Sequence, residues 1–200
     1  LYRFGQDAEV MISSHNWPRW GNDRIQEVMR DQRDAYANLN NQVLNLANRG
    51  ITISQMHNEY QVPQSLHQSW SVRQYHGSEF HNSRAVINRY LGYWDGNPAT
   101  LAPLSPEESA PLYVDMMGGA DAILPRAQAL FDDGQYRHAM EILNKLVYAE
   151  PDNQTGKDLL AATFEQLGYQ YESASMRNAF LTAAQELRVG VAPAGPARGT

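Results

Sequence analysis

"AQALFDDGQYRHAMEILNKLVYAEPDN", residues 127–153, is the stretch whose reading decides the fold. Small and large apolar residues alternate around Gly134, Tyr136 and Ala139, and Pro151 closes the unit, because proline cannot continue a helix. The pattern predicts two helices joined at a glycine turn. A degenerate second copy follows in "AATFEQLGYQYESASMRNAFLTAAQEL", residues 161–187. A helix pair of this kind must bury one apolar face against a neighbour, and a second copy of the chain is one candidate.

These pairs resemble tetratricopeptide repeats, and everything after Tyr113 reads as helical. Upstream, "WDGNPATLAPLSPEESAP" (94–111) is a loop punctuated by proline and glycine, in which Ser105 to Glu108 opens the next helix as a capping box. Ser83 to Tyr93 is expected to be helical, with Ala85, Val86, Tyr90 and Leu91 inward. Pro63 opens a short helix with Leu66 and Trp70 on one side, and "TISQMHNEY" (52–60) is another, capped by Thr52 or Ser54. A longer helix starts at a cap on Asn22 or Asp23. Its apolar residues Ile25, Val28, Met29, Tyr36, Leu39, Val43 and Leu46 recur at three- and four-residue steps, and Gly50 stops it. Residues 8–14, "AEVMISS", read as one buried strand. "LYRFG" (1–5) reads as a helix end capped by Gly5, which suggests a piece of a longer chain, and "GVAPAGPARGT" (190–200) reads as a flexible linker.

The chain has 200 residues, 42% of them hydrophobic and 19% charged, which suits one or two soluble domains. A net charge of −6 argues against a nucleic-acid partner, since phosphate binding needs clustered Lys and Arg. With no cysteine there is no disulfide, no thiolate metal site and no thiol nucleophile. No apolar run is long enough to be a transmembrane segment.

Six histidines remain as candidates for chemistry: His15, His57, His67, His76, His81 and His138. None forms an HExxH or HxHxDH cluster. His57, His67 and His138 lie in ordinary helical patterns. His15 ends an apolar run just ahead of Trp17, Pro18 and Trp20, where it is placed either for a metal or for nothing in particular. In "RQYHGSEFHNSRAV" (73–86), His76 and His81 stand beside a helix start that Asn82 or Ser83 can cap. That is either an anion site at a helix N-terminus or a capping turn with incidental histidines. The aromatic residues Trp17, Trp20, Trp70, Tyr90, Tyr93 and Trp94 are assigned to core packing, and Asp95–Pro98 to a turn rather than a calcium loop.

Four stretches together resemble one family: residues 13–36, "SSHNWPRWGNDRIQEVMRDQRDAY"; 41–60, "NQVLNLANRGITISQMHNEY"; 75–124, from "YHGSEFHNSRAV" to "MMGGADAIL"; and 141–170, "EILNKLVYAEPDNQTGKDLLAATFEQLGYQ". They look like the zinc-dependent alkyl sulfatases of the metallo-β-lactamase superfamily, and the likeness runs to about Leu187. The resemblance implies a binuclear zinc enzyme that hydrolyses alkyl sulfate esters to alcohol and sulfate. Within "SHxWPRWG" it makes His15 a ligand to one of two Zn2+ ions, with Trp17, Pro18 and Trp20 stiffening the exit loop. Within "YHGS" it makes His76 the catalytic and sulfate-binding residue, able to neutralise an ester oxygen or give a proton to the leaving one.

The resemblance also implies a mainly α architecture. Residues 1–50 would be the end of a metallo-β-lactamase-like αβ/βα catalytic domain, a short strand and a helix. Residues 51–188 would form an all-helical dimerisation domain with tetratricopeptide-like pairs, and 189–200 a linker toward a further C-terminal domain. Its HxHxDH cluster, two glutamate ligands and sulfate-binding arginine belong upstream of Leu1, so this stretch alone is expected to be inactive. The expected partners are a second copy in a homodimer, the N-terminal catalytic portion and an alkyl sulfate substrate; periplasmic or secreted localisation follows from the same likeness. Two other readings stay open. One is a non-catalytic tetratricopeptide-like module that binds a partner segment. The other is a sister hydrolase acting on phosphate or lactam.

Overall fold

Asn22–Asn48 form one long helix, α1, and the elements around it define how the first half of the chain is built. The computed structural model describes residues 5–191, so the readings of Leu1 to Phe4 and of residues 192–200 lie outside the described residues. The chain divides into two compact units, Leu1–Ala102 and Pro103–Thr200. No helix among the described residues is long and apolar enough to cross a membrane.

In the first unit, strands β1 (Val10–Ser13) and β2 (Asn16–Trp20) pair antiparallel as a hairpin. Two sequence expectations are corrected here. β1 is not buried: Ile12 is 78% exposed, because the hairpin is a two-stranded sheet with no second layer over that face among the described residues. The Trp–Pro–Trp cluster is a strand rather than an exit loop. Met11 pairs with Arg19 and Ser13 with Asn16, which leaves Trp17 and Pro18 opposite Ile12. This is a β-bulge in a two-stranded sheet whose strands are both edges, the two settings in which a residue without an N–H is tolerated within a ladder.

α1 follows the hairpin, but neither Asn22 nor Asp23 caps it; Gly21 holds the cap position. Asn22 instead turns its side-chain amide back on the incoming loop, donating to the carbonyls of Gly5 (3.0 Å) and Ala8 (2.9 Å). α1 stops just before Gly50, whose φ of 89° favours a residue without Cβ. Helix α2 is Met56–Glu59 and α3 is Gln64–His67, followed by a 3-10 turn at Trp70–Val72. Thr52 and Ser54 do not cap α2. The Thr52 hydroxyl donates to Gln55 and the Ser54 hydroxyl to Asp95.

Helix α4, Glu79–Leu91, begins earlier than the sequence suggests, because Ser78 rather than Asn82 or Ser83 is its cap, accepting the His81 N–H. Its inner face is also turned from the expected one: Ser83 and Ile87 are buried, while Ala85, Tyr90 and Leu91 are exposed. The buried Ser83 hydroxyl is satisfied by the Phe80 carbonyl at 3.3 Å, so a polar residue takes a core position. Val43, Ile53, Met56, Tyr60 and Ile87 close the core of this unit, with Leu39, Leu46 and Val86 against them. Asp95 organises the following turn by accepting from Asn97 N–H (3.0 Å) and the Thr100 hydroxyl (2.6 Å).

The second unit is α5 (Pro106–Met116), α6 (Ala120–Asp132), α7 (Tyr136–Ala149), α8 (Gln154–Gln170) and α9 (Ala174–Val189). The expected capping box is present: Ser105 Oγ accepts from Glu108 N–H, and the Glu108 carboxylate accepts from Ser105 N–H. Ala127, Ala139, Leu143 and Leu160 form the main core, and Val114, Ile123 and Leu146 a second. α8 and α9 meet closely at Gly168, where an added Cβ would lie 3.1 Å from Leu181 Cδ2 and 3.3 Å from the Arg177 carbonyl oxygen. The aromatic assignment is corrected as well. Trp17, Trp20, Trp94, Tyr90 and Tyr93 are exposed rather than core residues. Trp70 is half-buried, with the Arg19 guanidinium over its ring at 3.4 Å.

Candidate functional site

The Ser14–His15 turn joins β1 to β2, so His15 is offered at the tip of the hairpin rather than from within a strand. His76 lies in the loop between the 3-10 turn and α4. α1 brings the two together. Its first turns hold the segment before the hairpin through Asn22 and Gln26. One turn further on, Asp31 accepts from the Ser69 hydroxyl and the Gln32 amide donates to the Ser71 carbonyl, which fixes the 3-10 turn. The result is a face-to-face stack: the His15 and His76 ring centroids are 3.7 Å apart and their planes 3° from parallel.

The stacked pair lines a cleft of about 510 Å³. Its lining is mixed: Met11, Trp17, Val28, Met29, Tyr36 and Trp70 supply apolar surface, and His15, His76, Arg73, Ser13, Ser14 and Asn82 supply polar groups. No aspartate or glutamate lines it among the described residues. A smaller cavity of about 170 Å³ adjoins it, sharing Gln32, Tyr36, Arg73 and Asn82, and holds Tyr60 and Glu79. Burial pushes the Glu79 carboxyl up, against a smaller lowering by His67. The Tyr60 phenol is pushed up to about 12, by burial first and by Glu79 second. His81 does not reach the cleft; its ring packs edge-on against Phe80 at 5.2 Å.

Sequence reasoning named His15 and His76 separately. It missed Arg73, Gln32 and Tyr36, and it put Tyr36 in the core, whereas that ring is 70% exposed on the cleft wall. No motif flags these residues. The only available signal for Tyr36 was its position on the same α1 face as Val28 and Met29.

A zinc site needs three or four donors, and no group of three His, Asp or Glu able to hold a metal exists among the described residues. A metal binds an imidazole nitrogen in the ring plane, so the space between two stacked faces is closed to it. An ion on His15 would sit at the edge of the stack. A single imidazole can supply one donor to such a site, and the described residues alone do not complete it.

Residues 52–190 match the family described as alkyl sulfatase dimerisation. The chain belongs to that family. Among curated relatives it is 47% identical over 192 residues to an (R)-specific secondary-alkylsulfatase of Pseudomonas sp., covering 96% of this chain and 29% of the relative. It is 46% identical over 191 residues to a linear primary-alkylsulfatase of Pseudomonas sp., covering 96% of this chain and 28% of the relative. An alkyl/aryl-sulfatase of Saccharomyces cerevisiae is 45% identical over 188 residues, with 94% and 29% covered. The solved structure of a stereoselective inverting sec-alkylsulfatase from Pseudomonas sp. superposes with a TM-score of 0.93 at 46% identity, over 99% of this chain and 31% of that one. The alkyl sulfatase dimerisation chain thus spans less than a third of the length of these relatives, and its mainly helical fold is shared with the solved sec-alkylsulfatase in this region.

Proposed function

We propose that this chain is the part of an alkyl sulfate ester hydrolase that carries one zinc ligand, one headgroup contact and the dimer interface. The observation that carries the reading is the His15–His76 stack in a cleft whose lining divides into large apolar side chains and polar donors, Arg73 among them. An alkyl sulfate has that same division, a hydrocarbon tail and a monoanionic head. Identities of 45–47% to named alkylsulfatases support the substrate class.

On this reading His15 ligates one of two zinc ions, and its partners in coordination come from polypeptide outside residues 5–191. Zinc, when bound, supplies Lewis acidity and an activated water. His76 would meet the sulfate oxygens, where it neutralises charge and carries a proton to the departing oxygen. The hairpin and α1 would close a metallo-β-lactamase-like catalytic domain. The second unit would be a pair of tetratricopeptide-like hairpins that meets its copy in a homodimer, in keeping with the dimerisation family it matches.

The test uses the full-length protein. His15→Ala is expected to lower bound zinc from two ions per protomer to one or fewer, read by elemental analysis, with the circular dichroism spectrum unchanged. His76→Ala is expected to keep both ions and lower kcat on a linear alkyl sulfate by about 10²- to 10⁴-fold. If both variants match wild type in metal content and turnover, the chain is a non-catalytic helical module and the proposal is overturned.

A further inference from the structure

Among the described residues that line the cleft, Arg73 alone carries a fixed positive charge; it lines the same cleft as His76 and also the smaller cavity. The other polar lining residues carry hydroxyls, amides and imidazoles, and no carboxylate lines the cleft among the described residues. This is unusual for a chain of net charge −6. The other arginine close by, Arg19, is spread over the Trp70 ring and is not among the residues lining the cleft. Arg73 itself is exposed, three residues from His76, and its guanidinium is 5.8 Å from the Tyr75 ring centroid.

We infer that Arg73 is a substrate-binding residue that grips the sulfate head of the ester beside His76, an inference that rests on the function proposed above. A guanidinium presents paired N–H donors in one plane, matching two oxygens of a tetrahedral anion, and it stays charged at every working pH. Lining the same cleft as the His15–His76 pair, it sets which end of an amphiphile is held there. The hydrocarbon is left to the apolar lining residues Met11, Trp17, Val28 and Met29. Arg73 thereby contributes orientation and headgroup selectivity, and it takes no part in proton transfer.

The test measures binding in the full-length enzyme by calorimetry with two probes of equal chain length. A linear alkyl sulfonate carries the anionic head but no ester bond, and the corresponding alcohol carries no charge. Arg73→Gln is expected to weaken sulfonate binding by about 10- to 100-fold, the range of a charge-assisted hydrogen-bonded pair, and to leave the alcohol within twofold. Arg73→Lys is expected to recover part of the loss, since it keeps the charge without the planar fork. An unchanged sulfonate affinity in Arg73→Gln, or an equal loss for both probes, overturns the inference. Should the Gln variant not fold, the Lys variant decides, and a sulfonate loss under twofold overturns it. A wild type that binds sulfonate through Arg73 yet cleaves no alkyl sulfate would sink the proposed function while leaving this residue's role standing. A hydrolase indifferent to Arg73 would do the reverse.

Discussion

Tyr60 shows how one buried group in the first unit couples stability to pH. Its hydroxyl donates to Asn38 Oδ1 at 3.2 Å, inside the core that joins α1, α2 and α4. Its pKa is raised from 10.0 to about 12, so the folded state holds the phenol proton more tightly than the unfolded state does. The contribution to stability is complete below pH 10 and is lost as pH climbs toward 12. Urea titrations of wild type should therefore show stability falling across that window. Tyr60→Phe should flatten the fall and cost about 0.5–1.5 kcal/mol at neutral pH, the net value of the bond to Asn38. Equal alkaline slopes in the two proteins would rule this out. At this scale the sequence was readable where a residue carries its chemistry in its own type, as His15 and His76 do. It was silent where the role comes from what lies alongside. Nothing in the spacing of two histidines so far apart says that their rings will stack, and nothing in "VRQYHGS" says that Arg73 will line the same cleft.

Among the elements, helices were legible and their exact faces were not. α1 follows the three- and four-residue recurrence of its apolar residues because a long helix with one apolar stripe has a single way to bury it. α4 is short and flanked by loops. Its true inner face includes Ser83, a polar residue that no hydrophobic pattern selects. The hairpin was hidden for a different reason: a proline between two tryptophans argues against a strand unless a bulge receives it, and a bulge is set by the pairing partner. The α8–α9 contact offers a test of element packing. Gly168→Ala adds helix propensity worth up to about 1 kcal/mol. Against that, it places a methyl against Leu181 and the Arg177 carbonyl oxygen, and a backbone atom cannot swing aside. The expected outcome is a net loss of about 1–2 kcal/mol in chemical denaturation, as overpacking usually costs. A variant as stable as wild type would show that α9 shifts freely.

For the whole molecule, the family match and the exposed apolar residues of the second unit lead to one expectation. Leu112 and Met116 lie one turn apart on α5 and face outward, as Tyr113 does under Lys145. Light scattering at micromolar concentration should give twice the protomer mass, and Leu112→Asp combined with Met116→Asp should weaken association by tenfold or more, because a buried unpaired charge is costly. A monomeric wild type would overturn the dimer, and a dimeric double variant would move the seam off α5. α1 has a consequence of its own. At 27 residues it is roughly 40 Å long, and it is a tie-rod: Asn22 and Gln26 hold the segment leading into the hairpin at one end, while Val43 is clamped in hydrocarbon at the other. Loosening that distant clamp would tilt the rod and pull the two imidazoles out of alignment, so damage remote from the cleft would be felt first as blunted chemistry and only later as unfolding.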